Sequence, residues 1–443
     1  MSVLLRLIST LALKLDVPGF NWKSLILGFS ATQYLFETYL DLRQHKVLQR
    51  TKPPATLEGV IEQETFDKSQ EYNRTKSRFG FIRSFYSFAT DALITVFDGT
   101  PFIWGVAGRL MTSIAPLAIT GQITQSVIFF LIYNLASTIL SLPFALYSTF
   151  VIEEKFGFNK QTPKLFITDL IKSQLLTVII GGPLLAGFLK IVLYFGNSFF
   201  YYLWLFALAF QIIAIAVYPV LIQPLFNKVT PLKEGKIKND VEKLASQLKF
   251  PLQDLYVIDG SKRSAHSNAY FYGFPWKKQI VIFDTLIDKF ESDQVVAVLA
   301  HELGHWALSH TTKMLIINQL HIFSLFVSFA VFINNASLYQ SFGFAKERPI
   351  MIGFMLFNEI LGPLESVLNY LLSALSRKYE YEADAFAVKL NYANQLSESL
   401  IKLQSQNLSS VDADWLYSSY HYSHPILPER LRAIGWTNEK KVE

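Results

Sequence analysis

Long apolar runs separated by charged loops dominate the chain. Seven stretches have the length and apolarity of membrane-crossing helices: 22–42, 82–112, 122–150, 166–192, 198–226, 312–335 and 350–376. A bilayer core of ~30 Å needs about 20 consecutive apolar residues in helical form. Any one of them could be a buried helix of a large soluble core; seven together point to a membrane bundle. Glu37 and Asp41 make the first the weakest. The pattern changes over 227–311, which reads as a helix near 233–248, a strand around 254–259 and a hairpin over 267–284 with Pro275-Trp276-Lys277-Lys278 at its turn. A helix follows, opened by Ser292 and Asp293 and apolar through 300. Residues 377–443 read as helical, with a polar tail.

The expected organisation is therefore 1–226 with five membrane helices, a polar domain over 227–311, two further membrane helices over 312–376, and a C-terminal helical region over 377–443. Composition agrees: 51% of the 443 residues are hydrophobic, 38 are Phe and only 17% are charged, too apolar for a soluble enzyme. A net charge of +5, carried in loops, leaves no basic stripe for nucleic acid. Without cysteine there is no disulfide, no thiol nucleophile and no thiolate metal site. Arg6 and Lys14 interrupt the first apolar stretch, which does not read as a cleavable signal.

Loop charges set the expected orientation. Arg43, Lys46, Arg50, Lys52, Lys68, Arg74, Lys76 and Arg78 lie in 43–80, and Lys155, Lys160 and Lys164 in 151–165, whereas 113–121 and 193–197 carry no charge. Positive loops stay cytosolic, so alternation places 227–311 and the C-terminus in the cytosol and the N-terminus in the lumen. Glu37, Asp41, Asp91, Asp98, Arg109, Asn134, Gln174, Asn318, His321, Asn358, Glu359, Glu365 and Asn369 fall inside the spans. Groups so costly in lipid face a bundle interior or a water-filled cavity, and this many suggest a polar chamber.

The chemistry is concentrated in His301-Glu302-Leu303-Gly304-His305. Helical residues i and i+4 share a face, so the two imidazoles can chelate one metal ion, with Glu302 beside them to take a proton from the attacking water. A catalytic site needs a third protein ligand and an open position. Ser376-Arg377-Lys378-Tyr379-Glu380-Tyr381-Glu382-Ala383-Asp384 offers one: Glu380 and Asp384 are again i and i+4, so one can ligate while the other orients a histidine. Glu382 points about 200° away from Glu380 around the helix and is a poor rival. His310, nine positions beyond His301, is half a turn out of phase and should not touch the metal. His45, His266, His321 and His421 have no partner spacing and read as ordinary polar residues.

With these residues in view, the chain resembles the integral-membrane zinc CAAX prenyl proteases of type I, and within them a fungal member. The resemblance rests on His301-Glu302-x-x-His305, on Ser376-Arg377-x-x-Glu380-x-x-x-Asp384, on Ser267-Asn268-Ala269-Tyr270-Phe271-Tyr272-Gly273-Phe274, and on His424-Pro425 followed by Glu429-Arg430-Leu431. With the seven spans it covers nearly the whole chain.

It implies a mainly α, polytopic membrane protein with a zincin-like α+β protease domain capping its cytosolic side. It also implies a zinc metalloendopeptidase that removes the last three residues of prenylated Cys-a-a-X proteins, with a second, upstream cut in a mating pheromone precursor. One Zn2+ is then held by His301, His305 and Glu380, with Asp384 fixing a ligand imidazole and Glu302 as the base. The resemblance makes His424 the oxyanion donor and Arg430 a supporting donor to substrate or to the site carboxylates; from sequence alone His424 reads as a loop residue. Asn268, on an expected edge strand, can read an extended substrate added as a further strand.

Lys440-Lys441-Val442-Glu443 looks like a dilysine retrieval signal for the endoplasmic reticulum, which sets the expected location. The expected partners are prenylated proteins and membrane lipid, and not nucleic acid. The rival readings are a membrane quality-control zinc protease, which usually has fewer spans, and a channel, transporter or scaffold with a vestigial metal site. An intact Glu302 argues against the latter, since a structural metal needs no base.

Overall fold

A computed structural model describes residues 2–114, 119–274 and 276–437. The turn residue Pro275 and the lysine pair Lys440-Lys441 lie outside them. The N-terminal half is helical: α1 (Ser2–Leu15), α2 (Trp22–Val47), α3 (Gln63–Val96), α4 (Gly99–Ile114), α5 (Gln122–Tyr147), α6 (Pro163–Leu176), α7 (Gly182–Phe195), α8 (Phe199–Val217) and α9 (Gln223–Phe226). Among the described residues four helical runs are long and apolar enough to cross a membrane, 122–153, 163–226, 310–332 and 350–389. The second of these turns back at Gly196, whose φ of 50° suits glycine, so that α7 packs against α8.

One expected element is corrected. The single span over 82–112 is two helices, because α3 starts at Gln63 and stops before Asp98, and α4 begins at Gly99. Asp98 is left-handed (φ 54°), its carboxylate meets Lys23 at 2.6 Å, and Pro101 can only sit in the first turn of a new helix. Single turns of wider π-helix interrupt the membrane helices at Ser148–Glu153, Thr177–Gly181 and Tyr218–Ile222. Pro183 follows the second and Pro219 lies in the third, where a missing N–H and the ring's clash with the preceding turn disfavour regular α-helix.

The polar domain holds β1 (Val229–Pro231), α10 (Lys236–Gln247), β2 (Leu252–Ile258), β3 (Ala269–Phe274), β4 (Lys277–Phe283), α11 (Asp284–Lys289) and α12 (Ser292–Ala307). The sheet order is β1-β2-β4-β3, with β2 and β4 parallel and the other pairs antiparallel. β3 is thus an edge. Val241, Leu244, Leu255, Ile280, Ile282, Val295, Leu299 and Leu303 form one core beneath the sheet, joined by Ala387 and Leu396 from farther along the chain. Each such burial contributes about 1.5–3 kcal/mol for the larger side chains.

The remaining helices are α13 (His310–Phe332), α14 (Ala336–Ser341), α15 (Ile350–Lys389), α16 (Ala393–Gln406), α17 (Trp415–His421) and α18 (Leu427–Ile434). α15 overrides an expected boundary: the division at 376/377 falls inside one helix of 40 residues, about 60 Å long. Nothing in 370–389 breaks a helix, so the apolar span continues directly into the carboxylate segment. Likewise only Leu308 and Ser309 separate α12 from α13. Both arms of the motif region are therefore rooted in membrane helices. Phe329 and Phe357 pack with Leu189, Phe200 and Leu203 in the core between α13, α15, α7 and α8.

Several polar span residues face cavities. Gln33, Glu37, Asp91, Tyr133 and Glu359 line one of about 460 Å³, and Asp91 and Tyr133 also line a neighbour of about 440 Å³ with Arg83. A third, of about 560 Å³, shares Gln33 and Glu37 and reaches Asn369, His421 and Ser423. Others pair with each other: His321 Nε2 lies 2.9 Å from Glu365, and Gln174 donates to Thr138 at 3.0 Å.

Candidate metal centre

α12 opens on Glu291, whose side chain and that of Gln294 cap each other's backbone; Ser292 and Asp293 stand just inside the helix rather than at the cap. The helix buries Val295, Val296, Leu299 and Leu303 against the sheet and neighbouring helices, which leaves His301, Glu302 and His305 to the α15 side. Gly304 allows that approach. A Cβ there would stand 3.2 Å from Ala383 Cα and from Phe386 Cβ and Cδ1. Glycine is thus the residue that lets two helices meet at the motif.

The crossing brings Glu380 between the two imidazoles. His301 Nε2 and His305 Nε2 are 3.3 Å apart; Glu380 Oε2 lies 3.5 Å from the first and Oε1 3.3 Å from the second. A tetrahedral ion with bonds of 2.0–2.1 Å separates its donors by about 3.3–3.4 Å. Taking one atom from each residue, the His301, His305 and Glu380 donors lie within 4.8 Å of one another, a group that one metal ion can hold. Glu380 is almost fully buried, and its Oε2 has no hydrogen-bond partner among the described residues. The Arg430 guanidinium stands 3.6 Å from this oxygen without a hydrogen bond to it, which leaves the Oε2 lone pairs open to a metal ion. The residues present fit the metal.

Asp384, four residues on, places Oδ1 2.8 Å from His301 Nδ1. Arg430 from α18 closes on the same carboxylate, donating from Nε at 2.8 Å and from Nη2 at 2.6 Å. Its Nη1 lies 3.6 Å from Glu380. The guanidinium thus contacts both site carboxylates. Burial opposes charge on His301, yet Asp384 and Glu380 outweigh it and hold that imidazole's pKa up at about 9. Burial also pushes the Glu302 carboxyl above its usual range, with His301 and His305 opposing. A carboxylate of raised pKa is a better base.

His424 points Nε2 at Glu380 Oε1, 3.2 Å away, and shares Nδ1 with Ser423 Oγ at 2.9 Å. Partial desolvation at the site lowers its pKa, with Glu380 opposing, although the side chain remains 62% exposed. Asn268 stands at the start of edge strand β3: its carbonyl accepts from Phe283 N–H at 3.0 Å and its side chain from Ala269 N–H at 2.8 Å. Asn268, Glu302, Glu380, His424 and Arg430 line one cavity of about 120 Å³, together with Leu286, Val298, Leu396, Leu400 and Leu403. Every expected site residue is therefore gathered within one region. Glu382 is absent from it, as its helical phase requires. Two neighbours were not foreseen: His310 stands 3.1 Å from His305, nitrogen to nitrogen, and Glu382 stands 2.9 Å from His310. His310 stays outside the metal-donor group, and the left-handed Ser309 (φ 58°) restarts the helix so that His310 stands behind His305.

Comparison with known proteins gives a concordant result. Residues 44–228 match the family described as CAAX prenyl protease N-terminal, five membrane helices, and residues 231–437 match peptidase family M48. The first segment contains α3, α4, α5, and the continuous limbs α6–α7 and α8–α9. The chain is 46% identical over 444 residues to CAAX prenyl protease 1 of Saccharomyces cerevisiae, covering 96% of this chain and 98% of the relative. It is 42% identical over 448 residues to CAAX prenyl protease 1 homolog of Homo sapiens, covering 92% and 94%. The crystal structure of S. mikatae Ste24p superposes with a TM-score of 0.90 at 46% identity, over 94% of this chain and 100% of that one.

Proposed function

The chain belongs to peptidase family M48, in its CAAX prenyl protease group, and from that premise we propose which residues carry its reaction and where it acts. It is a multi-pass membrane metalloprotease of CAAX proteins. The finer reading is a zinc endopeptidase that removes the last three residues of a prenylated Cys-a-a-X terminus and makes an upstream cut in a mating pheromone precursor. The observation that carries the metal assignment is the donor triangle of His301, His305 and Glu380.

Zinc held there supplies a Lewis acid to the scissile carbonyl and to water. Glu302 accepts a proton from the attacking water and passes it to the leaving amine. His424, neutral at its lowered pKa, donates from Nε2 to the oxyanion as charge develops. Asp384 holds His301 in the tautomer that offers Nε2 to the metal, and Arg430 holds Asp384. The free edge of β3 beside Asn268 receives the substrate as an added strand, and the leucines lining the cavity take an aliphatic side chain.

The positively charged loops support a cytosolic site. Arg43 of the first loop meets Asp414 at 2.9 Å, and in the second Lys160 N–H donates to the Arg263 carbonyl and the Phe158 carbonyl accepts from Ala265 N–H, both at 3.1 Å. The two loops expected on the cytosolic side thus pack directly on the regions carrying the metal centre. The endoplasmic reticulum membrane, with the C-terminus cytosolic, is the setting this reading assigns. The test uses a prenylated peptide and its unprenylated form. Release of the tripeptide should favour the prenylated substrate and stop on chelation. Glu302→Ala should keep stoichiometric zinc while losing cleavage by roughly 100-fold or more. Zinc loss in that variant would make Glu302 structural, and near-normal turnover would refute the mechanism.

A further inference from the structure

The two ligand imidazoles are held from behind by different devices. His301 Nδ1 meets a carboxylate directly, Asp384. Among the described residues His305 Nδ1 meets no carboxylate. It faces His310 Nδ1 at 3.1 Å, and His310 Nε2 lies 2.9 Å from Glu382 Oε2. His310 is buried, 2% exposed, with its ring stacked on Tyr379 at 4.1 Å between centroids and 9° between planes. Lys378 reaches Glu382 at 3.8 Å from the solvent side.

We propose that His310 and Glu382 form a positioning relay for the metal ligand His305. The tautomers follow from the geometry. If His305 offers the Nε2 lone pair to the metal, its Nδ1 carries hydrogen and donates to His310 Nδ1. His310 must then carry its hydrogen on Nε2, which donates to Glu382. The relay fixes the rotation and tautomer of His305 as a direct carboxylate does for His301. Because His310 is the first residue of α13 and Glu382 lies on α15, the ligand is braced against two membrane helices rather than its own.

Its sequence logic is also visible. The left-handed Ser309 turns the chain by the amount that sets His310 beside His305. The carboxylate whose helical phase turns it away from the metal is the one that accepts from the histidine behind it. The relay rests on the metal centre proposed above.

The test is zinc release from the full-length, zinc-loaded protein in detergent to a chromogenic chelator, with melting of the zinc-free protein as a folding control. His310→Leu should hold zinc about 10- to 100-fold more weakly, the range typical of lost outer hydrogen bonds. His310→Asn should remain within about threefold of the parent, because its Oδ1 replaces the acceptor at the Nδ1 position. Glu382→Leu, at a half-exposed position, should weaken zinc far less than His310→Leu, within about threefold, because the His310 acceptor remains. Tyr379 loses its stacking partner in both His310 variants, so a packing role would move them together. Equal zinc retention in His310→Leu and His310→Asn, whether high or low, overturns the relay. A parent chain that holds no zinc overturns the metal centre itself.

Discussion

Gly304→Ala puts one methyl group where two helices carry the metal donors. An ideal Cβ there lies 3.2 Å from Ala383 Cα, Phe386 Cβ and Phe386 Cδ1. Carbon atoms rest about 3.5–4.0 Å apart, so α12 and α15 must separate by roughly 0.3–0.8 Å or bend. Overpacking of this kind costs roughly 1–3 kcal/mol. Alanine returns about 0.8–1 kcal/mol through its helix propensity. The net loss is then about 0–2 kcal/mol, which a folded domain survives. The site has less tolerance. Gly304 directly precedes His305, and Ala383 lies between Glu380 and Asp384 on the opposing helix. The separation therefore falls on the 3.3 and 3.5 Å edges of the donor triangle. Zinc affinity and kcat/KM should each drop on the order of 10-fold, since displacements of about 1 Å cost roughly 100-fold in rate. Thermal unfolding of the zinc-free protein should change only slightly. Chelator competition, steady-state cleavage and melting on one preparation check this. Unchanged affinity and turnover would refute the claim that the α12–α15 spacing sets the donor geometry.

Glu380→Ala should lose zinc outright, whereas Glu382→Ala should keep it with reduced affinity; metal analysis that finds the reverse would reassign the third ligand. Zinc affinity should fall as pH falls: the His301 imidazole, held at about 9 without metal, must lose its proton to ligate. The dependence should approach tenfold per pH unit and level off above about 9, and Asp384→Asn, which removes a support for the charged ring, should move the levelling to lower pH. Titrations that show no pH dependence below 9 would contradict this. His424→Ala should depress kcat by roughly 100-fold with little change in KM and normal zinc, as expected for a donor used mainly in the transition state. A raised KM at constant kcat would make it a ground-state substrate contact instead.

Local pattern decided a large share of this protein. The i, i+4 pairs at 301/305 and 380/384 follow from helical pitch alone, and both lie on helices. Apolar run length marked the membrane helices, and alternation with turn residues marked the β3–β4 hairpin, since each depends on residues close in the chain. The misread span depended on a single backbone position. Asp98 split it, because a left-handed residue leaves little trace in hydropathy. Continuity misled at 376/377, where polarity changes while the helix does not. What only the tertiary structure decided is which distant groups meet. Glu380 lies 75 residues beyond His305 and Arg430 a further 50, and no spacing rule links them. Their meeting depends on the packing of α12 against α15 through Gly304 and of α18 against α15. The support of His305 by His310 and Glu382 likewise arises where two membrane helices end side by side, a three-dimensional adjacency that periodicity along the chain does not encode.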